Sequence, residues 1–204
     1  MKLPEPLQDL SRELLPVEHD VARDARGRRA AVLVLLYPRN HEITFALTVR
    51  PDTMSRHPGQ ISLPGGMAEP HDGSLWETAV RETQEELGLM PGRVMPLGRL
   101  DDVPVRVSES VITPFVGWNP VSPRFRPDRT EVAEVLEIPL EALLHPDAIE
   151  EETWELRGSE WLVSFYRLRD RVVWGITGLI LSDLHCRLRV EQPVVRPGSV
   201  RPKS

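Results

Sequence analysis

The stretch Ser74-Leu75-Trp76-Glu77-Thr78-Ala79-Val80-Arg81-Glu82-Thr83-Gln84-Glu85-Glu86-Leu87-Gly88 decides how the rest of the chain is read. Ser74 and Glu77 form a capping box, in which the serine oxygen accepts from the Glu77 amide and the carboxylate reaches back. Gly88 supplies the left-handed stop. These signals predict a helix over 74–88. At about 100° per residue, Trp76, Val80, Thr83 and Leu87 share one arc, the face expected to pack on a sheet. Glu82, Glu85 and Glu86 share another arc, roughly 130° away. Like charges at i, i+4 cost a helix about a few tenths of a kcal/mol. Three carboxylates aimed at one small volume therefore ask for a cation, and hard oxygen ligands suit Mg²⁺ or Mn²⁺, not zinc or copper. A solvated acidic face, with Arg81 paired to Glu85, is the alternative that the helix alone leaves open.

The segment ahead of this helix favours the first reading. Leu63-Pro64-Gly65-Gly66 lets the backbone turn tightly and approach a ligand closely, since glycine has no Cβ. It brings a carbonyl near the start of the carboxylate helix, and a backbone oxygen with two or three carboxylates and water can complete a magnesium shell. Upstream, Arg29–Tyr37 and Ile43–Arg50 are apolar, β-branched runs separated by Pro38-Arg39-Asn40-His41, a hairpin pattern. The loop from Pro51 to Gly73 is too long for a mere connection. Downstream, strand-like runs fall at Val94–Leu100, Val103–Val107 and Val111–Trp118. A short helix is expected over Ile138–Leu144 and a hairpin from Thr153–Leu156 to Trp161–Leu168 around Gly158. Trp174–Leu188 has helical spacing. Strands interleaved with a few helices predict an α+β fold, a mixed sheet with helices packed on it.

Composition narrows the function. The chain has 204 residues, 31 acidic against 25 basic, and a net charge of −6. A nucleic-acid binder normally carries the opposite sign, so no nucleic-acid partner is expected. The longest apolar run, Ala30–Tyr37, is far short of the ~20 residues that span a bilayer. Nothing near Met1 resembles a secretory signal, so a cytoplasmic protein without membrane contact is expected. The single cysteine, Cys186, excludes an internal disulfide and a thiolate zinc cluster. All basic residues except Lys2 and Lys203 are arginines, whose planar fork suits phosphate.

Gly66 followed by Arg81-Glu82-Thr83-Gln84-Glu85-Glu86-Leu87-Gly88-Leu89 resembles the Nudix box. The usual pattern leaves thirteen residues between the glycine and the arginine. Here Met67 to Val80 makes fourteen, and Thr83 sits where an aliphatic residue is usual. Asp72 stands at the box's spaced acidic position if the extra residue follows it. An extra residue is usual in one branch, and Leu47-Thr48-Val49-Arg50 with Arg56-His57-Pro58-Gly59-Gln60-Ile61-Ser62-Leu63-Pro64-Gly65-Gly66 is similar to the upstream signature of Nudix coenzyme A diphosphatases. The segments Glu131–Leu140 and Trp174-Gly175-Ile176-Thr177 resemble later parts of that branch. The resemblance covers roughly Arg29 to Leu188.

The resemblance implies a Nudix-type α/β/α sandwich over 29–188. Residues 1–28 would form a helical segment and polar connector, and 189–204 a loose tail. It implies metal-dependent hydrolysis of the coenzyme A diphosphate to 4′-phosphopantetheine and adenosine 3′,5′-bisphosphate. Glu82 and Glu86 would hold the metal with the Gly65 carbonyl. Glu85 would be a further ligand or take the water's proton, and Arg81 would orient Glu85. Arg50, Arg56, His57 and Gln60 would grip the diphosphate. Arg28 and Arg29, within a cluster that includes Arg23 and Arg26, could meet the 3′-phosphate or form a solvated connector. Rival readings are a Nudix enzyme for NADH or ADP-ribose, a Nudix-fold binding module without catalysis, and a di-metal oxidase. The last needs Glu-x-x-His pairs on several helices, which the chain lacks.

Overall fold

A computed structural model describes residues 3–18, 28–52, 59–90, 92–156, 158–188, 198 and 200–202. α1 (Glu5–Glu13) precedes the hairpin of β1 (Arg28–Arg39) and β2 (Glu42–Val49), in which Arg39 stands opposite Glu42. Asn40 and His41 between them take φ values of 49° and 68°, the two-residue turn whose twist matches paired strands. β3 (Ile61–Ser62) joins β2 and β4 (Gly65–Met67) joins the start of β1, leading into α2 (Leu75–Leu87). β5 (Met95–Arg99), β6 (Val103–Val105) and β7 (Ser110–Trp118) follow, then β8 (Glu134–Pro139) and α3 (Leu140–Leu144). The chain continues through β9 (Ile149–Leu156), β10 (Ser159–Leu168), β11 (Arg171–Val173), α4 (Gly175–Leu188) and β12 (Val200–Pro202).

The larger, eight-stranded sheet runs β3-β2-β1-β7-β5, with β4 also on β1, β6 on β7 and β8 on β2. β1 and β7 are parallel while the other pairs are antiparallel, so the sheet is mixed. β9, β10, β11 and β12 form a second, antiparallel sheet. β1 is central and buried on both faces, which is why it reads as an uninterrupted apolar run. Its Ala31, Leu33, Leu35 and Tyr37 face α2, packing with Ala79, Leu87 and Phe115. Its Val34 and Leu36 face the other way, toward Leu7 and Leu10 of α1, Tyr166 and Leu168 of β10, and Ile180, Leu181 and Leu184 of α4. This is the expected α+β sandwich around a mixed sheet. Among the described residues no helix is long and apolar enough to cross a membrane.

Four local expectations need correction. Ile138 lies in β8, and the short helix begins only at Leu140, because Phe45 of β2 stands opposite Ile138 and extends it as a strand. The Glu77 carboxylate accepts from the Gly73 N–H at 2.8 Å, not from Ser74, because Gly73 has no Cβ to keep the carboxylate away. The tail expected to be loose from residue 189 has an ordered stretch, with Val200 opposite Val163 and Pro202 opposite Trp161 in β10. The buried face of α2 comprises Thr78, Ala79, Thr83 and Leu87, while Trp76 and Val80 are only half-buried. The small Ala79 lets the helix seat closely on β1, and this rotation matters for the site.

Candidate active site

The site starts from the register of β4. Pro64 C=O accepts from Leu33 N–H at 2.9 Å, and Ala68 N–H donates to Arg29 C=O at 2.9 Å. In an antiparallel ladder, alternate residues turn their peptide groups outward, so those of Gly65 and Met67 point away from β1 toward α2. Gly65 has a φ of 148°, and a Cβ there would collide with the Ala31 carbonyl. A Cβ on Gly66 would fall on the Glu82 carboxylate. The two glycines thus serve different ends: one admits the backbone path, the other leaves room for a side chain.

Arg81 organises one side of the site. Its Nε and Nη2 donate to Asp72 Oδ1 and Oδ2 at 2.9 and 3.0 Å, a two-pronged pair. Nη2 also donates to Met67 C=O at 3.1 Å, and Nη1 donates to Glu82 Oε1 at 2.9 Å and Glu85 Oε2 at 3.1 Å. The Asp72 side chain is only 3% exposed. The Arg81 guanidinium, helped by the Glu69 N–H and the Thr78 hydroxyl, holds its carboxyl well below the usual carboxylate range. Asp72 matched the spaced acidic position of the motif without being chosen as a site residue. Its fixed polar partners are what the linear spacing could not reveal.

Glu86 stands on the other side. Seven residues after Ala79, it lies within about 20° of Ala79 on the helix. The rotation that buries Ala79 therefore draws Glu86 inward. The Gly65 N–H is turned toward Glu86, but the Glu86 Oε2 is buried with no hydrogen-bond partner among the described residues. Its pKa is pushed up to about 8, first by burial, then by Glu82 and Glu131, against the opposing pull of the Gly65 N–H and Arg50. Burial also raises the pKa of Glu82, while Arg81 opposes the shift.

The expected convergence of Glu82, Glu85 and Glu86 on one volume is thus divided. Glu85, 59% exposed, turns to Arg81 in the i, i+4 pair that the sequence left open. Among the described residues, no three His, Cys, Asp or Glu side chains stand together as a ready metal-ligand set. The donor chemistry nonetheless fits a hard cation: Glu86 offers a buried oxygen without a partner among the described residues, and the missing Cβ of Gly66 makes room for Glu82.

Arg50 directly follows β2, and its Nε is buried with no hydrogen-bond partner among the described residues. Its N–H donates to Gln60 C=O at 3.0 Å, and Gly59 N–H donates to Arg50 C=O at 3.2 Å, so Arg50 and Gln60 are neighbours. Arg56 and His57, like Arg23 and Arg26, lie outside the described residues. Arg28 is exposed at the start of β1. Arg29 donates to the Thr113 hydroxyl at 3.2 Å, which in turn donates to Asp102 at 2.7 Å, tying Arg29 into the sheet. Glu131 sits on a segment tied to α2 by Asp128 N–H to Glu86 C=O, 3.0 Å, and to β2 by Ala133 N–H to Val49 C=O, 2.8 Å.

The model of the NUDIX domain matches residues 27–161. The chain is 34% identical over 165 residues to "Uncharacterized Nudix hydrolase NudL" of Photorhabdus laumondii, covering 80% of this chain and 87% of that protein. A protein of the same name from Pectobacterium atrosepticum is 38% identical over 162 residues, covering 77% and 81%. The solved Nudix hydrolase RenU from M. smegmatis aligns with a TM-score of 0.47 and 22% identity over 55% of this chain and 70% of that one. The chain belongs to the Nudix family. It is a Nudix hydrolase, of a family that acts on pyrophosphate bonds of small nucleoside diphosphate compounds and generally uses divalent metals.

Proposed function

We propose that this Nudix hydrolase cleaves the diphosphate of coenzyme A with Mg²⁺ or Mn²⁺, yielding 4′-phosphopantetheine and adenosine 3′,5′-bisphosphate. The observation that carries the chemistry is the buried Glu86 Oε2, which has no hydrogen-bond partner among the described residues and lies within the electrostatic reach of Arg50. The choice of coenzyme A rests on the stretch from Leu47 to Gly66, which resembles that branch's signature, and is supported by the likeness to proteins named NudL.

Glu82 and Glu86, with the Gly65 carbonyl, would hold the cation, and Glu85 would join them or take a proton from water. The bound cation would neutralise diphosphate oxygens and favour deprotonation of water. Arg81 keeps Glu82 and Glu85 in place through its anchor on Asp72. Arg50 and Gln60, with Arg56 and His57, would grip the diphosphate, and Arg28 and Arg29 the 3′-phosphate. Of that last pair, Arg28 is the more available, since Arg29 already donates to Thr113. The raised pKa of Glu86 keeps much of it protonated near neutrality, so loading a cation releases a proton.

The test is product identification from coenzyme A, with NADH and ADP-ribose in parallel, in oxygen-labelled water with Mg²⁺ or Mn²⁺. Expected products are 4′-phosphopantetheine and adenosine 3′,5′-bisphosphate, one of them labelled. Faster hydrolysis of NADH or ADP-ribose would replace coenzyme A with that substrate.

A further inference from the structure

A cavity opens where α2 ends. It measures about 300 Å³ and lies between Leu89 and Met90, just after the helix, and the segment from Asn119 to Arg124, just after β7. That is the low end of small-ligand pockets, on the scale of a mononucleotide and too small for a whole dinucleotide. Met90 is 63% exposed and Val121 44%, two of the few large apolar side chains among the described residues that face solvent. Arg93 and Arg124 line the same cavity, and neither makes an ion pair with a described residue.

Asn119 supplies the polar centre. It is 2% exposed, and its backbone N–H donates to Leu36 C=O at 2.8 Å. Its side-chain oxygen receives only a long contact from Val121 N–H, 3.5 Å, and its amide nitrogen has no partner among the described residues. A fixed amide offering both a donor and an acceptor matches the paired edge of a purine such as adenine. Apolar walls suit the ring faces, and two guanidinium groups suit a phosphate.

The cavity is separate from the carboxylate site. Arg126 N–H donates to Leu87 C=O at 2.8 Å and Asp128 N–H to Glu86 C=O at 3.0 Å, so residues 124–128 close over the end of α2 between the two. We propose that this cavity is a purine nucleoside monophosphate site, with Asn119 reading the base, Met90 and Val121 flanking it, and Arg93 and Arg124 holding the phosphate. The proposal does not depend on the identity of the hydrolysed substrate.

Equilibrium dialysis of the full chain with AMP, in excess chelator, tests it, with adenosine and inorganic phosphate as separate probes. AMP should bind, and each fragment at least tenfold more weakly. Val121→Asp and Arg124→Glu, both at exposed positions, should each weaken AMP binding about tenfold or more. Both variants should leave diphosphate hydrolysis with Mg²⁺ within about twofold of wild type, since they touch none of the carboxylate machinery. Failure of AMP to bind wild type, or unchanged binding in both variants, would overturn the proposal. So would loss of AMP binding in Glu86→Gln, which would place the nucleotide in the hydrolytic cleft.

Discussion

Arg81 and Glu86 lie little more than one helical turn apart on α2, yet their surroundings differ sharply. Around Arg81, the donors are matched by Asp72, Glu82, Glu85 and the Met67 carbonyl. Around Glu86, its own buried Oε2 and the buried Nε of Arg50 have no hydrogen-bond partner among the described residues. The first arrangement is complete within the protein and holds the turn against the helix. The second is incomplete, and a buried polar group left in that state costs about 1–3 kcal/mol. Beside Glu82 and the glycine turn, that cost is the one a bound cation would remove.

The sharpest way to break this contrast is Glu86→Gln. Hydrolysis should fall about a hundredfold or more, as when a main electrostatic stabiliser of a transition state is lost. The chelator-treated variant should melt at least as high as wild type, because the buried charge and its repulsion with Glu82 are gone. Addition of Mg²⁺ should reverse that order, since a cation bound only by folded wild type stabilises it. A variant with full activity and an undiminished Mg²⁺-dependent rise in Tm would make Glu86 an ordinary buried carboxyl.

Next in size is the glycine pair. Gly65→Ala forces a positive φ on a side chain and a clash with the Ala31 backbone, so it should cost about 2 kcal/mol or more in denaturant unfolding. Gly66→Ala meets only the Glu82 carboxylate, which can swing away. Its stability should change by less than about 1 kcal/mol while hydrolysis drops roughly tenfold through misplacement of Glu82. Equal stability losses in both would mean that Gly66, too, serves only the fold.

The pH response sharpens the same comparison. Because Glu86 has its pKa raised on folding, its contribution to stability is full below the ordinary carboxylate pKa and is lost as pH rises toward about 8. Metal-free wild type should therefore lose Tm between pH 6 and pH 8 relative to Glu86→Gln, and parallel curves would contradict the shift. The smallest expected effect is Glu85→Gln on stability, about 0.5 kcal/mol or less, since the Glu85 carboxylate is largely exposed and Arg81 keeps its Asp72 and Glu82 partners. A larger loss in unfolding experiments would show that Arg81 depends on Glu85 as well as on Asp72.

The limits of the sequence reading follow from the same residues. The helix, its serine cap and its glycine stop depend on contacts within four residues, and the structure has Ser74 accepting from Glu77 N–H at 3.2 Å and Gly88 at a φ of 64°. The β1–β2 hairpin is likewise local. β8 was not legible because its six residues become a strand only when paired with β2, and Val200–Pro202 is ordered by β10, distant in sequence. Spacing placed Glu82, Glu85 and Glu86 on one arc and left an Arg81–Glu85 pair open, but could not say that Asp72 would fix Arg81 in place to make it.

The amino-acid sequence by itself determined the elements with short-range causes: the carboxylate helix, the glycine turn ahead of it, the apolar central strand and the family they spell. Periodicity, caps and turn residues act over a few bonds and carry their meaning with them. Only the tertiary structure decided which carboxylate is buried. That depended on how closely Ala79 lets α2 approach β1, on the outward turn of the Gly65 and Met67 peptides, and on the segment that brings Glu131 near Glu86. Desolvation and charge proximity arise from groups far apart along the chain, so no local pattern contains them.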